Sequence, residues 1–178
     1  MGSVYMGIDP GSKGFISIIN HNEEKRIVEF YSILDLDFYE LSELFAEIKA
    51  KYPNIRCVME LVHALHGSSA KSTFSFGEIN GLLKGLLIAN KIPYHLVQPK
   101  KWQSEIWDFK DMVVTYKDVL VKDKVVRKKE VNTKQTSINA AKRIFPNVDF
   151  RKTERCKNPD DNKVDSILLA EYGRRKNL

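Results

Sequence analysis

The sequence has few of the residues from which zinc sites and disulfide frameworks are built. Its 178 residues include only two cysteines and four histidines. Cys57 and Cys156 are far apart, and neither belongs to a CxxC motif or a Cys/His cluster. This pattern argues against structural zinc and predicts a reducing compartment. Since Cys57 stands in the apolar run 55–59, we expect it to be a buried, unreactive thiol.

Long hydrophobic runs, internal repeats and low-complexity tracts are also missing. No apolar stretch approaches the length of a membrane span, and the N-terminus has no basic region followed by an apolar run. A hydrophobic fraction of 43% and a mean hydropathy of −0.35 are typical of a soluble globular chain. We therefore expect one cytoplasmic domain over residues 1–178 with no membrane partner. A domain of this size has a core large enough to be stable without disulfides or structural metals.

Basic residues outnumber acidic ones by 29 to 23, which gives a net charge of +6. This balance permits a polyanionic partner such as nucleic acid without establishing one. The densest basic run covers 122–129, and such a run is ordinarily a solvated face.

Hydrophobic periodicity and turn residues predict an α/β chain with a five-stranded mixed sheet flanked by helices. The predicted strands are 4–8, 15–19, 26–33, 55–59 and 93–97. The predicted helices are 38–49, 71–90, 100–106, 133–145 and 162–174. Thr133 is the predicted cap of the fourth helix, and Pro146 ends that helix. The charged insertion at 108–132 fits either a hairpin or a frayed helix, and the pattern does not decide between them.

Four acids stand where such a fold could bring them together. Asp9 ends the first strand and Glu60 ends the fourth, and these strands commonly lie side by side and parallel. Asp161 and Asp165 open the last helix and, four residues apart, share one of its faces. Acids in a first turn also suit the helix dipole, so Asp160 and Asp161 could be plain capping residues.

Asp165 is harder to explain as a capping residue. It borders the apolar positions Val164 and 167–170, where an unpaired carboxylate is costly. Hard divalent cations such as Mg²⁺ take oxygen ligands and would relieve that cost. Four carboxylates without a His/Cys ligand set therefore suggest a phosphodiesterase centre with two ions about 4 Å apart.

Beyond the acids, several segments in order resemble one family. They are IDPG at 8–11, ME at 59–60, FSFGEING at 74–81, VQP at 97–99 with Trp102, the run 140–146, and DNKVDS at 161–166. Together they resemble the RuvC-like Holliday junction resolvases, particularly the branch carried by bacteriophages. The resemblance spans nearly the whole chain. It is specific because the order and spacing of the segments agree, and not only the acids.

The resemblance implies an RNase H-like fold and a homodimer that resolves four-way DNA junctions by paired symmetric nicks, with no nucleotide cofactor. It also implies two Mg²⁺ or Mn²⁺ ions per site, and it places the catalytic, metal-binding acids on Asp9, Glu60, Asp161 and Asp165. Lys134 resembles the family's basic residue near the scissile phosphate. The expected DNA-binding residues are His63, Lys100, Lys101, Lys122, Lys124, Arg127, Lys128 and Lys129.

Three departures from the family accompany the match. The last two acids are four apart, whereas bacterial members commonly space them three apart, so Asp160, Asp161 and Asn162 all remain candidates for the third ligand. Gln103 stands where a lysine is often found. His63 takes the place of an aromatic residue near the junction core.

The helix 71–90 carries two further expectations. Phe74 and Phe76 follow helical spacing and are expected in the core. Gly77 and Gly81 cost helix stability, which a close helix contact would explain, and the family's dimer interface includes this helix.

Three other functions fit parts of the pattern. The first is another nuclease of the same fold, acting on branches, flaps or RNA/DNA hybrids. The second is an actin-type ATPase, which would need a second domain and phosphate loop that this chain lacks. The third is a junction-binding protein without activity, against which the four acids argue.

Overall fold

The computed structural model describes residues 3–11, 13–21, 26–62, 69–121 and 124–178. Its strands are β1 (Ser3–Asp9), β2 (Phe15–His21), β3 (Arg26–Ser32), β4 (Arg56–Glu60), β5 (Tyr94–Val97), β6 (Val114–Val121) and β7 (Lys124–Val131). Its helices are α1 (Phe38–Lys51), α2 (Ala70–Ala89), α3 (Pro99–Ile106), α4 (Thr133–Ile144) and α5 (Asp161–Lys176).

The main sheet has the strand order β3-β2-β1-β4-β5. The first three strands pair antiparallel as consecutive hairpins, whereas β1 pairs parallel with β4 and β4 pairs parallel with β5. This arrangement confirms the predicted five-stranded mixed sheet. Parallel pairing of β1 with β4 brings the carboxyl ends of both strands to the same edge.

Helices cover both faces of the sheet, which explains why its central strands are almost continuously apolar. Met6 and Ile8 belong to one core, together with residues of α1 and α2. Tyr5 belongs to the other core, together with residues of α3, α4 and α5. Alternate side chains of β1 therefore enter opposite cores, as the two-residue period of a strand requires.

Helix α5 lies very close to β1 at Gly7. A Cβ atom at this position would lie 1.9 Å from the Ser166 carbonyl oxygen and 2.4 Å from the Ala170 nitrogen. A buried hydrogen bond between the hydroxyl groups of Ser17 in β2 and Ser166 in α5 also connects this helix to the sheet. Glycine at position 7 thus permits backbone-to-backbone packing of α5 on the sheet.

The structure decides the ambiguous insertion in favour of a hairpin, because β6 and β7 form a separate antiparallel ribbon. It corrects the predicted cap of the following helix. Asn132 is the N-cap, and its side chain accepts a hydrogen bond from the Gln135 backbone N–H, whereas Thr133 is the first helical residue. Asn and Thr are both good capping residues, so composition alone does not choose between neighbours.

Helix α2 departs from expectation on its outer side. Phe74 is 74% exposed, so its assignment to the core was wrong, and Phe76 is half-buried. Added Cβ atoms at Gly77 and Gly81 would have no described atom within 4 Å, so packing among the described residues does not explain these glycines. Helical spacing identified an apolar helix but could not tell that Phe74 faces solvent.

Cys57 is buried as predicted, and burial raises the pKa of its thiol well above the ordinary value. No helix within the described ranges has the length and apolar character needed to cross a membrane.

A pair of glycine substitutions tests the packing of α5 on β1. We expect Gly7→Ala to destabilise the fold by roughly 3 kcal/mol or more, because backbone atoms cannot move aside as flexible side chains can. Gly85→Ala in α2 is the control: its new Cβ would have no described atom within 4 Å. Because alanine favours a helix more than glycine does, Gly85→Ala should raise the free energy of unfolding by about 1 kcal/mol. Urea unfolding measures both changes, and equal effects would contradict the close contact at Gly7.

Candidate active site

Two of the predicted acids reach the site from the parallel strands. Ile8 of β1 pairs with Met59 of β4, so the next residues, Asp9 and Glu60, leave the sheet at the same edge. The turn after Asp9 is tight, since the Gly14 backbone N–H donates to the Gly11 carbonyl at 2.9 Å. A Cβ at Gly14 would lie 2.0 Å from the Asp9 carbonyl oxygen, so glycine is required there.

The other two acids come from the first turns of α5. Asp160 is the N-cap, and its carboxylate accepts hydrogen bonds from the backbone N–H groups of Asn162 and Lys163. Asp161 is therefore the first helical residue, and its carboxylate is not used for capping. Because α5 packs along β1 and β4, Asp161 and Asp165 lie beside the sheet edge that carries Asp9 and Glu60.

The electrostatics of Asp9 show that the other three carboxyl groups lie near its own. Its pKa is raised well above the ordinary value, first by burial and then by repulsion from Asp165, Glu60 and Asp161, with a smaller effect of Asp160. Burial, with repulsion from Glu60 and Asp161, likewise raises the pKa of Asp165 to about 7. One edge of the sheet thus gathers more negative charge than it can hold without compensation.

Three neighbouring side chains partly compensate these carboxylates. The Trp102 indole N–H donates to Glu60 Oε2 at 2.9 Å, which opposes the upward pKa shift that burial imposes on Glu60. A hydrogen bond to Ser137 lowers the pKa of Asp165. Lys134 Nζ lies 2.5 Å from Asp161 Oδ2, and this contact raises the pKa of Lys134.

Of these three, sequence reasoning assigned a site role only to Lys134. Trp102 is fully buried in α3, and its helical spacing would mark it as a core residue. The one signal for a polar role is chemical: a buried indole N–H ordinarily finds an acceptor. Ser137 is buried in α4 and carries no sequence signal at all.

The donor set suits a hard divalent cation, because it consists of carboxylate oxygens with no sulfur or imidazole. Asp165 Oδ1 is buried without a hydrogen-bond partner among the described residues, as expected for an atom reserved for a ligand. As the side chains stand, no three Asp, Glu, His or Cys groups in the described ranges are grouped tightly enough to hold an ion. The residues fit a metal by chemistry, and coordination requires the carboxylates to turn toward one another.

The expected DNA-binding residues fall into two described groups. Lys100 and Lys101 are exposed in the first turn of α3, directly after the strand that pairs with β4 at Glu60. Arg127, Lys128 and Lys129 are exposed on β7. His63, Lys122 and the side chain of Lys124 lie outside the described residues.

This mixed sheet and its acidic edge define an RNase H-like α/β protein. Thermus thermophilus RuvC, solved in complex with a Holliday junction substrate, has a similar structure with a TM-score of 0.61 at 9% identity, covering 97% of this chain and 93% of that one. A second T. thermophilus RuvC structure gives a TM-score of 0.51 at 10% identity, with coverage of 98% and 96%. The yeast mitochondrial Holliday junction resolvase Ydc2 gives 0.51 at 17% identity, with coverage of 97% and 79%.

The chain therefore has the fold of RuvC, as the sequence resemblance predicted. No family model and no curated protein sequence matches it. At such low identity the likeness concerns the fold, and the chemistry must be argued from the site.

The raised pKa of Asp165 predicts how stability changes with pH when no divalent ion is present. The side chain of an unfolded Asp ionises near pH 3.8, whereas the raised pKa of folded Asp165 keeps it protonated until about pH 7. The folded state therefore loses stability as the pH rises from 4 to 7. Asp165→Asn should abolish this loss, roughly 4 kcal/mol for a pKa that rises from 3.8 to about 7, and raise the Tm at pH 8 by roughly 8–16 °C.

Thermal melts in EDTA at several pH values measure this difference. Asp149→Asn is the control, because hydrogen bonds from Arg151 lower the pKa of Asp149 to about 2. Asp149→Asn should lower the Tm slightly between pH 4 and pH 8, whereas Asp165→Asn should raise the Tm. A Tm gain for Asp165→Asn that is the same at pH 4 and pH 8 would contradict the repulsion inferred for the site.

Proposed function

We propose that this protein is a divalent-metal-dependent endonuclease that resolves four-way DNA junctions by paired symmetric nicks. The observation that carries the proposal is the convergence of Asp9, Glu60, Asp161 and Asp165 at one edge of the sheet. The RuvC-like fold supports the choice of substrate, since two neighbouring structures are described as a RuvC–Holliday junction complex and a Holliday junction resolvase.

The four carboxylates would hold the metal ions. When bound, two Mg²⁺ or Mn²⁺ ions activate water and stabilise the leaving oxygen of an in-line displacement. Trp102 would orient Glu60 through its indole N–H, and Asp165 would contribute the oxygen that has no hydrogen-bond partner within the described ranges. Lys134, which forms an ion pair with Asp161, would contact the scissile phosphate once that carboxylate has turned inward.

Basic residues would hold the DNA arms through the phosphate backbone. Lys100 and Lys101 lie at the site's own edge, and Arg127, Lys128 and Lys129 extend the basic surface along β7. We include His63, Lys122 and Lys124 on the strength of the sequence alone. Phosphate contacts of this kind release counterions, so junction affinity should fall steeply as salt rises.

Paired nicks need two sites, which a twofold dimer supplies. The outer face of α2 supports such a dimer, because Phe74 and Ile88 are 74% and 64% exposed there. No described atom lies within 4 Å of a Cβ added at Gly77 or Gly81, as close approach of a second helix would require. The spacing of four between Asp161 and Asp165 supports the bacteriophage branch of the family, and such an enzyme would act in the cytoplasm of its host.

A cleavage assay with Asp9→Asn tests the function. We expect the parent chain to nick a synthetic mobile four-way junction symmetrically with Mg²⁺, leaving a 5′-phosphate and a 3′-hydroxyl. Asp9→Asn should bind the junction yet cleave it at least about 10³-fold more slowly, because it lacks a group acting in the transition state. Linear duplex, flap and RNA/DNA-hybrid substrates are the controls. Unchanged cleavage by the variant, or faster cleavage of the hybrid, would contradict the proposal.

A second assay tests Lys134. If its ammonium group contacts the scissile phosphate, Lys134→Gln should slow single-turnover cleavage by about 10²-fold, the usual effect of removing one transition-state donor. Junction affinity should change little. Lys134→Arg should restore part of the rate, and Lys142→Gln, an exposed lysine of the same helix, is the matched control. A loss of affinity with an unchanged rate would instead assign Lys134 to DNA binding.

A further inference from the structure

The ribbon of β6 and β7 stands apart from the two cores. Among the described elements, neither strand makes an extended contact with any helix or with the main sheet. Eight-residue strands make the ribbon roughly 25 Å long. An isolated two-stranded ribbon is only marginally stable in water, so its surface is suited to a partner.

The base of the ribbon is tied to the helix that carries Lys134. The Asn132 backbone N–H donates to the Val113 carbonyl at 2.8 Å, and the Val113 N–H donates to the Thr136 hydroxyl at 3.1 Å. Arg143 of α4 forms an ion pair with the buried carboxylate of Asp111 at 2.6 Å. The ribbon therefore starts from a fixed point beside the candidate active site.

Directly paired residues of an antiparallel ribbon share a face, so the register defines two faces. The pairs Tyr116–Lys129, Asp118–Arg127 and Leu120–Val125 form what we call the aromatic face. Tyr116, Leu120 and Val125 are 58%, 72% and 70% exposed. Arg127 lies over the Tyr116 ring, 5.2 Å from its centroid.

The opposite side, which we call the lysine face, contains the pairs Lys117–Lys128 and Val119–Val126. A groove of about 330 Å³ lies on this side, lined by Lys117, Val119, Lys128 and Glu130 together with Lys129, whose pair with Tyr116 belongs to the aromatic face. Lys117 forms an exposed ion pair with Glu130 at 2.6 Å, and Lys128 is exposed beside it. The groove thus offers cations to a polyanion.

Charge decides which partner this surface suits. The two strands carry five basic and two acidic residues, so a second ribbon would meet like charge, whereas a nucleic-acid backbone would meet opposite charge. Exposed aromatic and aliphatic side chains next to an Arg guanidinium suit the faces of unstacked bases. Stacked duplex offers no such base faces, but a branch point does.

Building on the proposed function, we propose that the ribbon inserts between two arms of branched DNA. The lysine face holds the phosphate backbone of one arm, and the aromatic face stacks against unpaired bases at the branch point. The ribbon then selects branched over linear DNA, while the acids at the sheet edge perform the cleavage.

The test measures binding in an Asp9→Asn background, which keeps the DNA intact. Fluorescence anisotropy compares a four-way junction with a linear duplex of the same arm sequence. Tyr116→Ala with Leu120→Ser should weaken junction binding about 10-fold, the effect of losing one stacked base, and leave duplex binding unchanged. Lys117→Ala with Lys128→Ala should weaken both and reduce the slope of log affinity against log salt by about 2.

A fluorescent base analogue at the branch point gives a second readout. Its emission should change when the parent binds and should not change with the aromatic-face variant. Tyr39→Ala with Lys49→Ala on α1 is the matched control, since α1 covers the other face of the sheet and Tyr39 is 84% exposed. Circular dichroism checks that every variant is folded.

Two outcomes would overturn the ribbon proposal alone. One is an aromatic-face variant that loses junction and duplex binding equally, or loses neither, while the parent chain still cleaves junctions. The other is a change of oligomeric state in that variant by light scattering, which would make a second copy the partner. If the parent chain neither cleaves nor prefers junctions, the proposed function itself fails.

Discussion

The close contact between α5 and β1 is the constraint on which the candidate site depends. Gly7 lets the two backbones meet directly, and the hydroxyl pair of Ser17 and Ser166 holds the helix across the neighbouring strand. Asp9 of β1 and the acids Asp161 and Asp165 of α5 lie more than 150 residues apart in sequence. This short separation brings Asp161 and Asp165 near enough to raise the pKa of Asp9. A side chain at position 7 would move the helix outward and separate Asp165 from Asp9.

Gathering these carboxylates costs free energy, and the surrounding structure only partly offsets the cost. Burial and mutual repulsion raise the pKa values of Asp9 and Asp165 in spite of nearby donors. Trp102, Ser137 and Lys134 each compensate one carboxylate. Apolar packing on both faces of the sheet has to supply the remaining stability, as is usual where a site is built for a ligand. A cation that binds only the native state would offset this free-energy cost, because its binding shifts the folding equilibrium toward that state.

Predictions from the sequence were right where a single local pattern decided the structure. They were wrong, or left two structures open, where two patterns competed. Short apolar runs ending in acids identified β1 with Asp9 and β4 with Glu60, because a buried strand must end where a charge appears. Helical spacing placed Phe74 in the core, although its side chain on α2 is 74% exposed. The insertion at 108–132 mixes β-branched and charged residues, which suit a ribbon or a helix until cross-strand pairing sets the register.

The sequence by itself determined the fold class, the strand ends that carry Asp9 and Glu60, and the acids of the last helix. These features follow from apolar periodicity, turn residues and capping chemistry, all of which act over a few neighbouring residues. Tertiary structure alone decided that Trp102 reaches Glu60, that Ser137 reaches Asp165, and that residues 124–129 of the basic run lie on a free-standing ribbon. Such contacts depend on distances between elements far apart in the chain, and those distances are set by how whole helices and strands pack.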